Sequence, residues 1–204
     1  MVPEIAAGER LAPIFEMLVS MVGASRDSFN RHSLPELNRL QELKKLILTE
    51  IGNLSQQVRE ALEAKSAAER VPGLRRQSIL VHLQVMADNL GDLSGSVEKK
   101  IKGGVLFSDK AVTQANQLFD QLAGLLRSLL DILKTDNAFL KEYVANTGRQ
   151  LIQSTHEFAT EHEARLIEGV CLPQAAPIFL ALLDRLRTIA QHVVDVAQIM
   201  AVKP

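Results

Sequence analysis

Apolar residues recur at steps of three and four along nearly the whole chain, the signature of amphipathic helices. A first run, Leu11, Ile14, Phe15, Leu18, Val19 and Val22, predicts a helix that ends near Arg31. Ser33-Leu34-Pro35 restarts the chain, because Pro35 suits a first helical turn and Ser33 or its neighbour can cap it. A second run (Leu37, Leu40, Leu43, Ile47, Ile51, Leu54, Val58, Leu62) is followed by a predicted break at Arg70-Val71-Pro72-Gly73. A third run, from Ile79 through Leu83, Leu90 and Val97 to Ile101, stops at Gly103-Gly104. Lys99, Lys100 and Lys102 there set cations against the negative end of the helix dipole.

Ser108 is a good N-cap for a fourth helix holding Leu118, Leu122, Leu125, Leu129 and Leu133. Lys134-Thr135-Asp136-Asn137 is either a joint or a weak point in one long helix. Phe139, Tyr143, Val144, Leu151, Ile152, Phe158 and Leu166 continue the pattern until Gly169-Val170-Cys171-Leu172-Pro173 interrupts it. A last helix carries Ile178, Phe179, Leu182, Leu186, Ile189, Val193, Val196 and Met200. No segment reads as a strand.

The third and last helices overlie with a shift of 99 residues: Ile79 on Ile178, Leu83 on Leu182, Leu90 on Ile189, Val97 on Val196. Both halves share one layout of two long helices, a Gly/Pro break and an amphipathic helix, so the chain reads as an internal repeat. The expected fold is all-α, with two antiparallel three-helix bundles side by side, each burying the face the other leaves over. The expected division is one domain over residues 1–204, with repeats at 11–103 and 104–204.

Composition adjusts this picture little. Apolar residues are 47% and aromatics 4% of 204 residues, which predicts an aliphatic core of packed helices. The net charge of −1 gives no reason to expect nucleic acid or an anionic membrane as the main partner. The single cysteine, Cys171, excludes an intramolecular disulfide and a multi-cysteine metal site, and reads as a small residue near a helix start. The N-terminal segment lacks a basic region followed by an apolar run, and no stretch reaches the roughly 18–20 apolar residues of a membrane helix. These features set the chain in the cytoplasm, or in the cytoplasmic part of something larger.

Candidate chemistry is sparse. Asp88 and Asp92 are four residues apart, so both carboxylates leave one helix face and repel unless something positive lies between them. A hard cation suits that pair only if a neighbouring helix adds ligands; otherwise it is a solvated acidic face. The repeat places Arg187 and Gln191 at the equivalent positions, so the second half lacks the pair. His192 and Asp195 read as a helix salt bridge at i, i+3. Glu161-His162-Glu163 cannot converge on one ion, because adjacent side chains diverge; a surface or inter-helix hydrogen bond is the simpler role. There is no phosphate loop, HExxH or nucleophile elbow, and no triad is arranged, so the chain does not read as an enzyme.

Ala87-Asp88-Asn89-Leu90-Gly91-Asp92, Phe107-Ser108-Asp109-Lys110-Ala111, Glu161–Leu166, Gly169–Cys171, Ile178–Leu180 and Leu186-Arg187-Thr188-Ile189-Ala190-Gln191-His192 together resemble PhoU-type phosphate-uptake regulators. The likeness runs over residues 11–201 and is greatest to the cytoplasmic PhoU-like domain of bacterial sodium/phosphate cotransporters. The resemblance implies paired three-helix bundles and a non-catalytic regulatory role. It implies as partners a phosphate transporter, a sensor kinase or a second copy, with any membrane contact only through a transporter. It further implies one metal ion, iron or zinc, at Asp88 and Asp92 in the first half, and none in the second. A plain helical scaffold and a carboxylate-bridged metal protein are the competing readings.

Overall fold

A computed structural model describes residues 4–63 and 66–202, with only the backbone for 4–9, 67 and 68. Its helices are α1 (Glu4–Arg31), α2 (Leu34–Glu63), α3 (Ala67–Lys102), α4 (Asp109–Thr135), α5 (Ala138–Ile167) and α6 (Ala176–Ala201), with a short 3-10 turn at Pro173–Ala175 before α6. No strand occurs among the described residues. α1, α2 and α3 pack on one another, as do α4, α5 and α6; the halves meet where α1 lies on α4 and α3 on α6. α2 and α5 therefore flank a central layer built from α1, α3, α4 and α6.

Most boundaries lie where local chemistry puts them. The Ser108 hydroxyl accepts from the Ala111 N–H at 3.4 Å, as an N-cap should. α3 ends on Gly103 and on Gly104 at φ 57°, a left-handed position that glycine takes without a Cβ penalty. The 134–137 segment is a true joint. Asp136 is left-handed, and the Asn137 side chain accepts from Phe139 N–H and Leu140 N–H at 2.9 and 3.3 Å to start α5.

One boundary differs from expectation. The Arg70–Gly73 break is absent, and Pro72 lies inside α3. The helix starts earlier because the Glu69 carboxylate accepts from both the Ser66 N–H, at 3.0 Å, and its hydroxyl, at 2.5 Å. Pro72, the sixth residue of α3, then removes one backbone hydrogen bond just past the first turn. Gly73 allows close approach instead of a turn: a Cβ there would stand 2.6 Å from Leu62 Cδ2.

The core is aliphatic along the helices, with Leu18, Leu40, Ile47, Leu80, Leu83, Leu122 and Leu186 all at 0% exposure. The aromatics are few but not scattered. Phe119, Phe29, Phe107, Phe179 and His162 form a chain of rings whose successive centroids lie 6.4, 5.3, 6.0 and 4.8 Å apart. This string ties α4, α1, the linker, α6 and α5 together where the halves join. Buried Lys100 completes it. Its ammonium donates to Phe29 O at 2.8 Å, at the C-terminal turn of α1, and lies 4.9 Å from the Phe29 ring centroid. Burial pushes the Lys100 pKa down.

Candidate functional site

Asp88 and Asp92 leave α3 on one face, as their spacing predicts, and the positive group between them is a lysine. Lys44 of α2 places Nζ 3.0 Å from Asp88 Oδ1 and 3.7 Å from Asp92 Oδ1. Its stem lies flat on α3 because residue 91 is glycine; a Cβ there would stand 2.3 Å from Lys44 Cδ. Arg185 of α6 reaches the same face, with Nη2 3.8 Å from Asp92 Oδ2 and Nη1 donating to Asn89 Oδ1 at 3.1 Å. Among the described residues no third acid or histidine joins the pair. Two half-exposed carboxylates already bridged by an ammonium and flanked by a guanidinium do not fit a metal centre as they stand. A metal ion at Asp88 and Asp92 would have to displace Lys44.

In the second half Arg187 pairs with Asp184 on its own helix. Gln191 donates to Asp195 Oδ1 at 2.9 Å.

The convergence that sequence reasoning missed lies elsewhere on the same crossing. His82 of α3 meets His192 of α6, with the two Nδ1 atoms 2.7 Å apart. Asp195 Oδ2 lies 3.8 Å from His82 Nδ1 and 4.0 Å from His192 Nδ1. The i, i+3 spacing of His192 and Asp195 does bring them together, but as two members of a group of three. Burial, then the neighbouring His82, lowers the His192 pKa, against an opposing pull from Asp195. At that separation one Nδ1 donates its ring hydrogen and the other accepts it.

The register explains why these residues meet. His82 stands opposite His192; seven residues further along α3, Asn89 stands opposite Arg185, seven residues earlier in α6. Seven residues are about two helical turns, so antiparallel α3 and α6 present the same faces at both levels. The only hint in the sequence was a histidine on each of the two repeated helices. His82 falls on Ala181 under the repeat shift, and His192 on Leu93, so the repeat itself does not pair them.

Glu161-His162-Glu163 divides as adjacent helical residues must. Glu161 Oε2 accepts from Gln114 Nε2 at 2.8 Å and pairs with Lys110 and Arg165, which is an inter-helix contact of the expected kind. His162 instead turns inward, is 1% exposed, and has no hydrogen-bond partner at either ring nitrogen among the described residues. Burial, then Arg165, lowers its pKa, with Glu163 opposing. The folded state thus disfavours the imidazolium, so stability is full above the ordinary histidine pKa of about 6.5 and falls as pH drops below it. His162→Phe is expected to flatten the decline in melting temperature between neutral and mildly acidic pH. A decline as steep as that of the wild type would show that other groups cause it.

Cys171 is half-buried in the loop before α6, its Sγ 4.0 Å from Ser108 Oγ. No helix among the described residues is long and apolar enough to cross a membrane.

No family model matches the sequence, and no curated protein matches it. Solved structures do. PhoU from Pseudomonas aeruginosa superposes with a TM-score of 0.84 at 12% identity, over 97% of this chain and 95% of that one. The fold is that of PhoU. A second PhoU structure, the phosphate transport system regulatory protein from Streptococcus pneumoniae, superposes at 0.83 and 13% identity, over 97% of this chain and 93% of that one. On this PhoU fold the acid pair and the histidine pair share the α3–α6 crossing; six residues, about 9 Å of helix, separate His82 from Asp88.

Proposed function

We propose that this chain is a non-enzymatic regulator of phosphate transport or of its signalling. It acts in the cytoplasm through helix faces that touch a phosphate transporter, a sensor kinase or a second copy. The observation that carries the reading is the superposition on two PhoU structures over 97% of the chain, joined to the resemblance of its Ala87–Asp92 and Leu186–His192 segments to phosphate-uptake regulators. That resemblance also favours a more specific form, in which the chain is the cytoplasmic PhoU-like part of a sodium/phosphate cotransporter. A transporter encoded in the same reading frame would establish that form.

For Asp88 and Asp92 we read an electrostatic role. Lys44 and Arg185 bind the acid pair from α2 and α6, so the pair fastens α3 to its neighbours without an ion. Deleting the gene tests the main reading. The expected result is phosphate uptake that no longer falls when external phosphate is plentiful, restored by the intact gene. Uptake that responds to phosphate as in the parent strain would refute it.

A further inference from the structure

We propose that His82, His192 and Asp195 form a binding site for one divalent transition-metal ion of the zinc class, which staples α3 of the first half to α6 of the second. The donor types suit such an ion: two neutral imidazoles and one carboxylate, with a fourth position open to water. The three ligand atoms lie within 4.8 Å of one another.

Their spacing is close to what a tetrahedral site asks for. Zinc bonds of about 2.0–2.1 Å place neighbouring ligand atoms about 3.3 Å apart. The Nδ1 atoms, now 2.7 Å apart, would have to separate by about 0.6 Å, and Asp195 Oδ2, at 3.8 and 4.0 Å, would have to close by a similar amount. Side-chain torsions alone can supply such shifts.

The three groups are not well satisfied by each other. One shared hydrogen serves the histidine pair, while Asp195 Oδ2 stands beyond hydrogen-bond reach of both rings. Its other oxygen is held by Gln191 at 2.9 Å, the kind of outer contact that orients a ligating carboxylate. All three ligands sit on helices, and their side chains are 20%, 23% and 30% exposed, so an ion can enter from solvent.

The site is single. Under the repeat shift its counterparts are Ala181, Leu93 and Ser96, none of which ligates a metal of this class. It is also distinct from Asp88 and Asp92, whose charge Lys44 and Arg185 already balance. It does not rest on the phosphate reading: metal binding is measured on the purified chain, whatever the gene does in the cell.

The test uses the tag-free chain, stripped with chelator and titrated with Zn2+ in a calorimeter. One Zn2+ per chain is expected, together with a rise in melting temperature. His82→Ala and His192→Ala should each weaken binding at least tenfold, while the double variant Asp88→Asn, Asp92→Asn should leave it unchanged. Circular dichroism checks that each variant folds. Should a histidine variant fail to fold, the wild type alone decides. Imidazole nitrogen NMR should then show Zn2+ shifting His82 and His192 and leaving His32, His156 and His162 in place. Absence of saturable binding would overturn the proposal. So would binding that survives both histidine variants, loss of binding in the aspartate variant, or shifts at other histidines.

Discussion

Phe179→Ala is expected to lower the stability of the chain by about 3–5 kcal/mol, the largest effect of any single truncation considered. Phe179 is 0% exposed and lies in the string of rings that joins the halves, between Phe107 and His162. Removing it deletes the apolar area of a whole ring and leaves a cavity that cannot collapse, because its walls belong to different helices. It also leaves the unpartnered His162 ring without the face it packs on. Urea unfolding gives the number, and Phe139→Ala is the control. Phe139 is 84% exposed on α5, so its loss should stay within about 0.5 kcal/mol. A Phe179→Ala cost close to that of the control would mean the ring string contributes little to stability.

Gly148→Leu is expected to destabilise by about 1–3 kcal/mol, and Val194→Ala in the same chain to recover much of the loss. At Gly148 α5 lies close on α6; a Cβ there would stand 2.5 Å from Val194 Cγ2. Val194 is 2% exposed, and its β-branch leaves it few rotamers with which to retreat. A glycine in mid-helix normally costs about 1 kcal/mol relative to alanine, so Gly148→Ala sets that gain against the clash. Denaturant melts of both single variants and the double variant close the cycle. A coupling near zero would mean that α5 shifts outward freely and that the contact imposes nothing.

The two results bear on different contacts of the second half: Phe179 on the string of rings that reaches α1 through Phe107 and Phe29, Gly148 on the packing of α5 against α6. The halves meet chiefly at the α1–α4 and α3–α6 contacts. The α3–α6 crossing carries Arg185 on the acid pair, and His82 on His192.

Much of this molecule was legible in its residues one element at a time. The three- and four-residue spacing of leucines identified six helices, and Ser108 marked a cap, because period, cap and glycine chemistry act within a few residues of chain. The misplaced start of α3 shows the limit of that logic. Pro72-Gly73 is a strong local stop, yet Ser66 and Glu69, a few residues earlier, supplied a helix start that runs through it. The aromatic string was not legible either. A count of seven phenylalanines says nothing about four of them lining up across the two halves.

The sequence by itself determined the helical class, the doubled layout, and that Asp88 and Asp92 share a face needing positive charge. Only the tertiary structure decided which charge that is, an ammonium from α2 and a guanidinium from α6. It alone brought His82 to His192, 110 residues away. The reason is physical. Which way a side chain points on its own helix follows from a 3.6-residue turn, but which residue it meets depends on the register between helices. That register is set by the packing of whole apolar faces and carries no local mark in the chain.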